Sequence, residues 1–329
     1  MTPINRSKEL QNLDPILHAL AMRAGWNKKE PSLWAEPRTA FRPAHWKWSD
    51  AHRHLAHAGD LISTELAERR NLFLVNPIEG NYYATLRTLV SAYQMIKPGE
   101  RARSHRHSPN ALRLILVAED DVYTVVDGER IDMQINDVVL TPGGGWHGHA
   151  NDGKTDSYWL DFLDVPMVQL LEPMFMDWWP EGFQEPTAAN RSGDMIFRWA
   201  EVREQLDQLL SAPDAAGVAR LVLDVPSMPT LELAMSAINA TVRSSQRRAT
   251  ENQIVAIVAG EGETTIGEQT FQWSRGDVLA IPAWTFHHHA ACSDAVLFSV
   301  SDAQMQKRLG FFRESSPISA DSGAQAHDK

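Results

Sequence analysis

Two stretches of this sequence are versions of one another. VAEDDVYTVVDGERIDMQINDVVLTPGGGWHGH, ending at His149, aligns with VAGEGETTIGEQTFQWSRGDVLAIPAWTFHHH, ending at His289. Asp137 falls on Asp277, Pro142 on Pro282, His147 on His287 and His149 on His289. A repeat of about ninety residues commits the chain to two copies of one unit. Within each copy, short apolar runs alternate with turn residues. ALRLILVA, VYTVVDG, ERIDMQI and DVVLTP stand in the first, NQIVAIVAG, TTIGEQTFQW, GDVLAIP and DAVLFSVSD in the second. Short strands at such spacing, with Asp127-Gly128 as a hairpin signal, predict two small all-β barrels.

The flanks read differently. LDPILHALAMRAGW sets Leu13, Ile16, Leu17, Leu20 and Met22 at roughly helical spacing, with Asp14-Pro15 suited to a helix start. SDAHRHLAHAGDLISTELAERR also reads as helix. Its His52, His54 and His57 lack any accompanying carboxylate or cysteine pattern and read as helix surface. Between the barrels, VPMVQLLEPMFMDWW and FRWAEVREQLDQLL look helical, the second with Trp199, Val202, Leu206 and Leu209 on one face. The expected organisation is a mostly helical arm over 1–80, a first barrel over 81–168 and a helical linker over 169–228. A second barrel over 229–313 and a loose polar tail over 314–329 complete it.

Charge and cysteine content narrow the function classes. The net charge of −11 repels phosphate backbones, so nucleic acid is not an expected partner. Cys292 is the single cysteine, which fits a reducing cytoplasm. The opening MTPINRSKELQNLDP has no apolar core, and no apolar run is long enough to cross a bilayer, so a cytoplasmic protein without membrane contact is expected.

The chemistry concentrates in GERARSHRHSPNALR. On a strand, His105 and His107 point the same way, into the barrel. The following hairpin returns GGGWHGHAND alongside them, so that His147 or His149 can supply a third nitrogen. Three neutral imidazoles on one side of a divalent ion leave the opposite positions open, an arrangement non-haem iron oxygenases exploit. Taken alone, the pair also reads as hydrogen-bonded core histidines. In the second copy the same register sets Gln246 and Arg248 where His105 and His107 stand, retaining only His287. Arginine cannot ligate a cation, so one metal per chain is expected. The run His287-His288-His289 is read as structural or as surface, with adventitious metal binding as the alternative.

PGERARSHRHSPNALRLIL, YTVVDGERIDM, DVVLTPGGGWHGHAND and WLDFLD resemble the cupin superfamily and, within it, the gentisate 1,2-dioxygenase family. That family includes salicylate-type and 1-hydroxy-2-naphthoate ring-cleaving enzymes. The likeness spans most of residues 45–313. It implies a bicupin of two double-stranded β-helix barrels, a homotetramer or similar oligomer, and Fe(II) in the first barrel. It further implies an aromatic hydroxy acid and O₂ as substrates, with ring fission between the carboxyl-bearing and hydroxyl-bearing carbons. Carried over by position, it makes His105, His107 and His147 the metal ligands and turns His149 toward the substrate. Arg69, Arg70, Gln94 and Arg113 match polar pocket positions, and Asp161 and Trp146 stand behind the ligands.

Each role has a chemical basis. A guanidinium fork suits an aromatic carboxylate. For one of Arg69 and Arg70 a solvated helix end is the expected alternative. Arg113, inside ALRLIL, carries a charge that is costly to bury without an anion. Asp161 either orients a ligand histidine or serves as a salt-bridge partner. His149, with an unperturbed pKa near about 6.5, is suited to moving a proton. The sequence departs from the family at Gly143–Gly145, Gly148 and Phe162, which either reshape the pocket for a 5-substituted salicylate or merely form a turn. A non-oxygenase metal cupin (an isomerase or decarboxylase) would be expected to carry an acid soon after the histidine pair, where SPNALR has none. A ligand-binding cupin without activity would not need the three histidines.

Overall fold

The computed structural model describes residues 8–26, 32–67, 69–189 and 193–317. The chain divides into two compact units, Met1–Arg38 and Thr39–Lys329. In the first, the helix runs Lys8–Ala19 with Pro15 inside it, so Asp14-Pro15 does not begin it. Most of the expected tail lies outside the described residues.

The second unit is a bicupin. One six-stranded sheet of the first barrel orders Ile196–Phe197, Val138–Thr141, Ala111–Val117, Ser157–Leu163, Val90–Ile96 and Arg70–Phe73. The facing sheet orders Met176–Trp178, Arg101–His107, His147–Asn151, Val122–Val126, Glu129–Asp132 and Ala188–Ala189. The second barrel repeats the plan, with Val278–Ile281, Gln253–Ala259, Ala295–Ser301, Glu232–Ile238 and Val218–Leu223 across one sheet and Gln269–Ser274, Glu261–Ile266 and His287–Ala291 in the other.

Val90–Ile96 is buried at every position, with none of the polar alternation of a half-exposed strand. Between the barrels, Leu112, Leu114, Leu160 and Phe162 share one apolar cluster with Leu233, Met235, Ile254 and Phe298. Phe162 meets Phe298 edge-on at 5.6 Å.

Each copy's lead-in segment lodges on the other copy's barrel. Strand Ala44–Trp46 pairs with Val278–Ile281, and helix Trp48–Leu61 starts on Asp277, whose Oδ1 accepts the Trp48 N–H at 2.8 Å. In mirror fashion, Ile196–Phe197 pairs with Val138–Thr141, and Asp137 Oδ1 accepts the Trp199 N–H at 2.8 Å. The two aligned aspartates thus dock the two helices.

The inter-barrel segment holds more strand than expected. The helix of VPMVQLLEPMFMDWW ends at Leu171, and Met176–Trp178 instead pairs with Arg101–His107. Helix Trp199–Leu210 forms as read, burying Val202 and Leu206. Among the described residues no helix is long and apolar enough to cross a membrane.

Candidate metal centre and cavity

His105 and His107 sit two apart on Arg101–His107, and antiparallel pairing sets His147 opposite His105. One ligand atom from each of the three lies within 4.8 Å of the others. Strand alternation is the reason, because positions two apart share a face and the register brings the third into line. The ring centroids stand 5.3 Å apart for His105 and His107, 4.2 Å for His105 and His147 and 4.9 Å for His107 and His147.

Backbone carbonyls set the tautomers. His105 Nδ1 lies 3.2 Å from Arg103 O, His107 Nδ1 2.9 Å from Pro109 O and His147 Nδ1 3.1 Å from Gly145 O. A carbonyl only accepts, so each Nδ1 carries the hydrogen and each Nε2 keeps its lone pair. Burial pushes the His105 pKa down to about 2, helped by Arg69, and that of His107 down to about 4. Burial also holds His147 well below the usual range. Three neutral rings whose Nε2 atoms carry lone pairs, that of His105 accepting from Arg69 here, form a donor set that fits a divalent metal.

A cavity of about 480 Å³ opens from this triad. Arg69, Gln94, His107, Arg113, His147 and Asp161 line its polar side. Arg113 is 2% exposed, with Nε 3.4 Å from Asp161 Oδ1 and Nη1 donating to Thr124 at 3.3 Å and Thr141 at 3.2 Å. Burial raises the Asp161 pKa, and Arg113 opposes that rise. Arg69 Nη2 donates to His105 Nε2 at 2.7 Å.

Several sequence expectations change here. Arg70 is buried, but it bonds Ile62 O and pairs with Glu100 instead of facing the cavity. It is therefore neither a pocket residue nor a solvated helix end. One step along an extended chain turns it to the opposite face from Arg69. Asp161 accepts from Arg113 and, at 3.1 Å, from Trp159 Nε1, with no bond to a ligand histidine. Trp146 points away from His147 and packs edge-on against Trp179 at 5.1 Å, under Arg106. His149 is absent from the cavity lining. Its Nδ1 meets Thr124 Oγ1 at 3.0 Å, and its Nε2 is buried without a hydrogen-bond partner. Burial holds His149 well below its usual pKa, so it stands neutral at pH 7 and is not poised to titrate there.

The glycine departures do not shape the pocket. A Cβ on Gly143 would come within 2.3 Å of Ser108 O, and one on Gly148 within 2.3 Å of Ser104 Oγ, so both mark close packing away from the cavity. Phe162 faces the other barrel. The walls come instead from Val90, Ala92, Ala111, Leu163 and Met176, and the mouth includes Asn71, Tyr83 and Gln169. These uncharged residues lie outside the histidine motif, and no spacing in the sequence singles them out.

The second-barrel register also shifts by one. Gly144 N donates to His107 O, and Trp284 N donates to Ala249 O. His105 pairs with His147, and Arg247 bridges His287. Arg247 and Ala249, not Gln246 and Arg248, therefore occupy the ligand positions. Arg247 ion-pairs with Glu251 at 2.8 Å and Glu314 at 2.7 Å, and a guanidinium cannot ligate a cation.

A Cupin domain family model matches residues 92–163 and 239–301. The 5-aminosalicylate 1,2-dioxygenase of Comamonas sp is 32% identical, the alignment covering 95% of this chain and 91% of that protein. The gentisate 1,2 dioxygenase 1 of Aquipseudomonas alcaligenes is 33% identical over 88% of this chain and 91% of its own length. This chain belongs to the gentisate/salicylate 1,2-dioxygenase family. The salicylate 1,2-dioxygenase of Pseudoaminobacter salicylatoxidans, solved with gentisate, superposes with a TM-score of 0.87 at 26% identity, covering 96% of each chain. The dioxygenase is thus a ring-cleaving enzyme on a bicupin scaffold, with a three-histidine set suited to the metal such cupins require.

Proposed function

We propose that residues 81–168 form the catalytic barrel, with Fe(II) held by His105, His107 and His147. On this reading the enzyme opens a 2-hydroxybenzoate between its carboxyl- and hydroxyl-bearing carbons, and both oxygen atoms of O₂ enter the product. The observation that carries this is the gathering of one ligand atom each from His105, His107 and His147 within 4.8 Å, beside a cavity lined by His107, His147 and Arg113. When bound, the metal supplies open positions for the acid and O₂ and a path for electrons between them. The ring is itself the reductant, so no second cofactor site is needed.

The chain's own residues bind and orient. Arg113 meets the carboxylate from the buried end, held in place by Asp161, Thr124 and Thr141. Arg69 lines the same cavity and would give up its bond to His105 Nε2 where that nitrogen held a metal, leaving its guanidinium as a second cation for the acid. His149 stands behind the cavity wall, neutral and bonded to Thr124, which in turn receives Arg113. Gln94 completes the polar wall. The working assembly is proposed to be a cytoplasmic homotetramer.

Gentisate and 5-substituted salicylates (5-amino or 5-nitro) are the proposed substrates. Salicylate and 1-hydroxy-2-naphthoate are the alternatives within the class. The test is oxygen uptake by the Fe(II)-loaded protein with each acid, alongside metal analysis of protein purified without chelator. About one iron per chain and uptake with at least one acid are expected. Iron-loaded protein that consumes oxygen with none of them overturns the reading.

A further inference from the structure

We propose that the Tyr83–Gln169 pair at the cavity mouth selects the substituent on the ring edge remote from the metal, favouring a neutral hydrogen-bonding group; this rests on the function proposed above. The cavity has two ends distinguished by burial. Gln94, Arg113, His147 and Asp161 are buried, whereas Asn71, Phe73, Gln169 and Met176 line the same cavity while exposed. Tyr83 is half-buried, and its hydroxyl hydrogen-bonds the Gln169 side chain, joining the loop after Arg70–Phe73 to helix Val165–Leu171 across the opening.

Ring geometry fixes what reaches this mouth. An acid held at its carboxyl and neighbouring hydroxyl presents the bond between those two carbons to the metal. Its 4- and 5-positions then point the opposite way, toward the exposed end. None of Asn71, Phe73, Tyr83, Gln169 and Met176 carries a charge, so an ionic substituent finds no counter-ion among them. The pair offers both hydrogen-bonding senses. A primary amide has a donor and an acceptor end, and the tyrosine hydroxyl can be either, so reversing the amide lets the pair receive a hydroxyl, an amine or a nitro group. A methyl group or bare hydrogen leaves that capacity unused.

The experiment is calorimetric titration of Fe(II)-loaded protein without oxygen, so that binding is read without turnover, using gentisate, salicylate and 5-methylsalicylate. Wild type, Gln169→Leu and Tyr83→Phe are compared, with kcat/KM measured in parallel under air. The expected result is that gentisate binds wild type more tightly than salicylate. Gln169→Leu then shrinks that advantage about tenfold, the worth of one hydrogen bond, and binds 5-methylsalicylate better than wild type does. Tyr83→Phe shrinks it by a smaller factor. An unchanged gentisate-to-salicylate ratio overturns the proposal, including the case where both acids weaken equally because a strut was lost. If no acid binds wild type, the proposed function fails and this inference falls with it.

Discussion

Arg113 carries the largest consequence for a single side chain. It is fully enclosed, and Asp161 is the anion that makes its burial tolerable. Arg113→Met is expected to lower stability by about 3–5 kcal/mol, because it strands a buried carboxylate, and to lower kcat/KM by at least about a hundredfold. Adding Asp161→Leu should restore the melting temperature without restoring turnover, which separates the two roles. Arg69 and Arg70 divide in the same way. Arg69→Ala is expected to raise KM for the acid about tenfold or more with little change in melting. Arg70→Ala should lower the melting temperature and leave KM in place, since Arg70 serves Glu100 and Ile62. The histidine triad was legible because a two-residue period names a strand face. Arg70 was not, because helix Thr64–Ala67 is followed so closely by strand Arg70–Phe73 that no spacing tells which of two adjacent arginines points inward.

At the scale of elements, Asp137 and Asp277 perform one task twice. Asp137 accepts from Trp199 N and from Arg198, and Asp277 from Trp48 N and His45. Asp137→Ala is expected to cost about 2–3 kcal/mol, seen as a lower denaturation midpoint, because it leaves the helix N-terminus and its neighbours unpaired. Asp137→Asn should lose less. The aspartate alignment was visible in the sequence, but its purpose was not, since each docks a segment that precedes the other copy. The second-barrel register failed for a related reason. The copies differ in loop length, so the register of the later histidines does not carry back to the earlier strand, and a reading one residue off exchanges its faces. That is why Gln246 was read where Arg247 stands and Arg248 where Ala249 stands. The short strand Met176–Trp178 was missed because MDW is too brief to show a period.

For the whole molecule, the barrels are tied by a reciprocal motif. Asn110 and Asp164 of the first receive Thr230, and Asn252 and Asp302 of the second receive Thr88. Burial raises the pKa of both aspartates. Their protonation favours the folded chain as pH falls, and the second barrel's histidines act in the opposite sense. Burial lowers His287 to about 4 and His289 to about 3 from 6.5. Between those values and about 6.5 the unfolded chain binds more protons than the folded one, so stability is intact above about pH 6.5 and declines on acidification. The unfolding free energy of the metal-free protein should therefore fall from pH 7 to pH 4. In His289→Asn that slope should be shallower by about one proton.

The traded lead-in segments bear on how the chain is made. Strand Ala44–Trp46 leaves the ribosome early, but its partner Val278–Ile281 follows only near the end of synthesis. The nascent amino-terminal half must wait with an open sheet edge, and a product stopped before residue 278 keeps that edge permanently bare. Inheritance is bound by the same knot. The carboxy-terminal copy carries an arginine where the other has its first histidine, yet it could not be discarded, because its sibling's first strand has nowhere else to go.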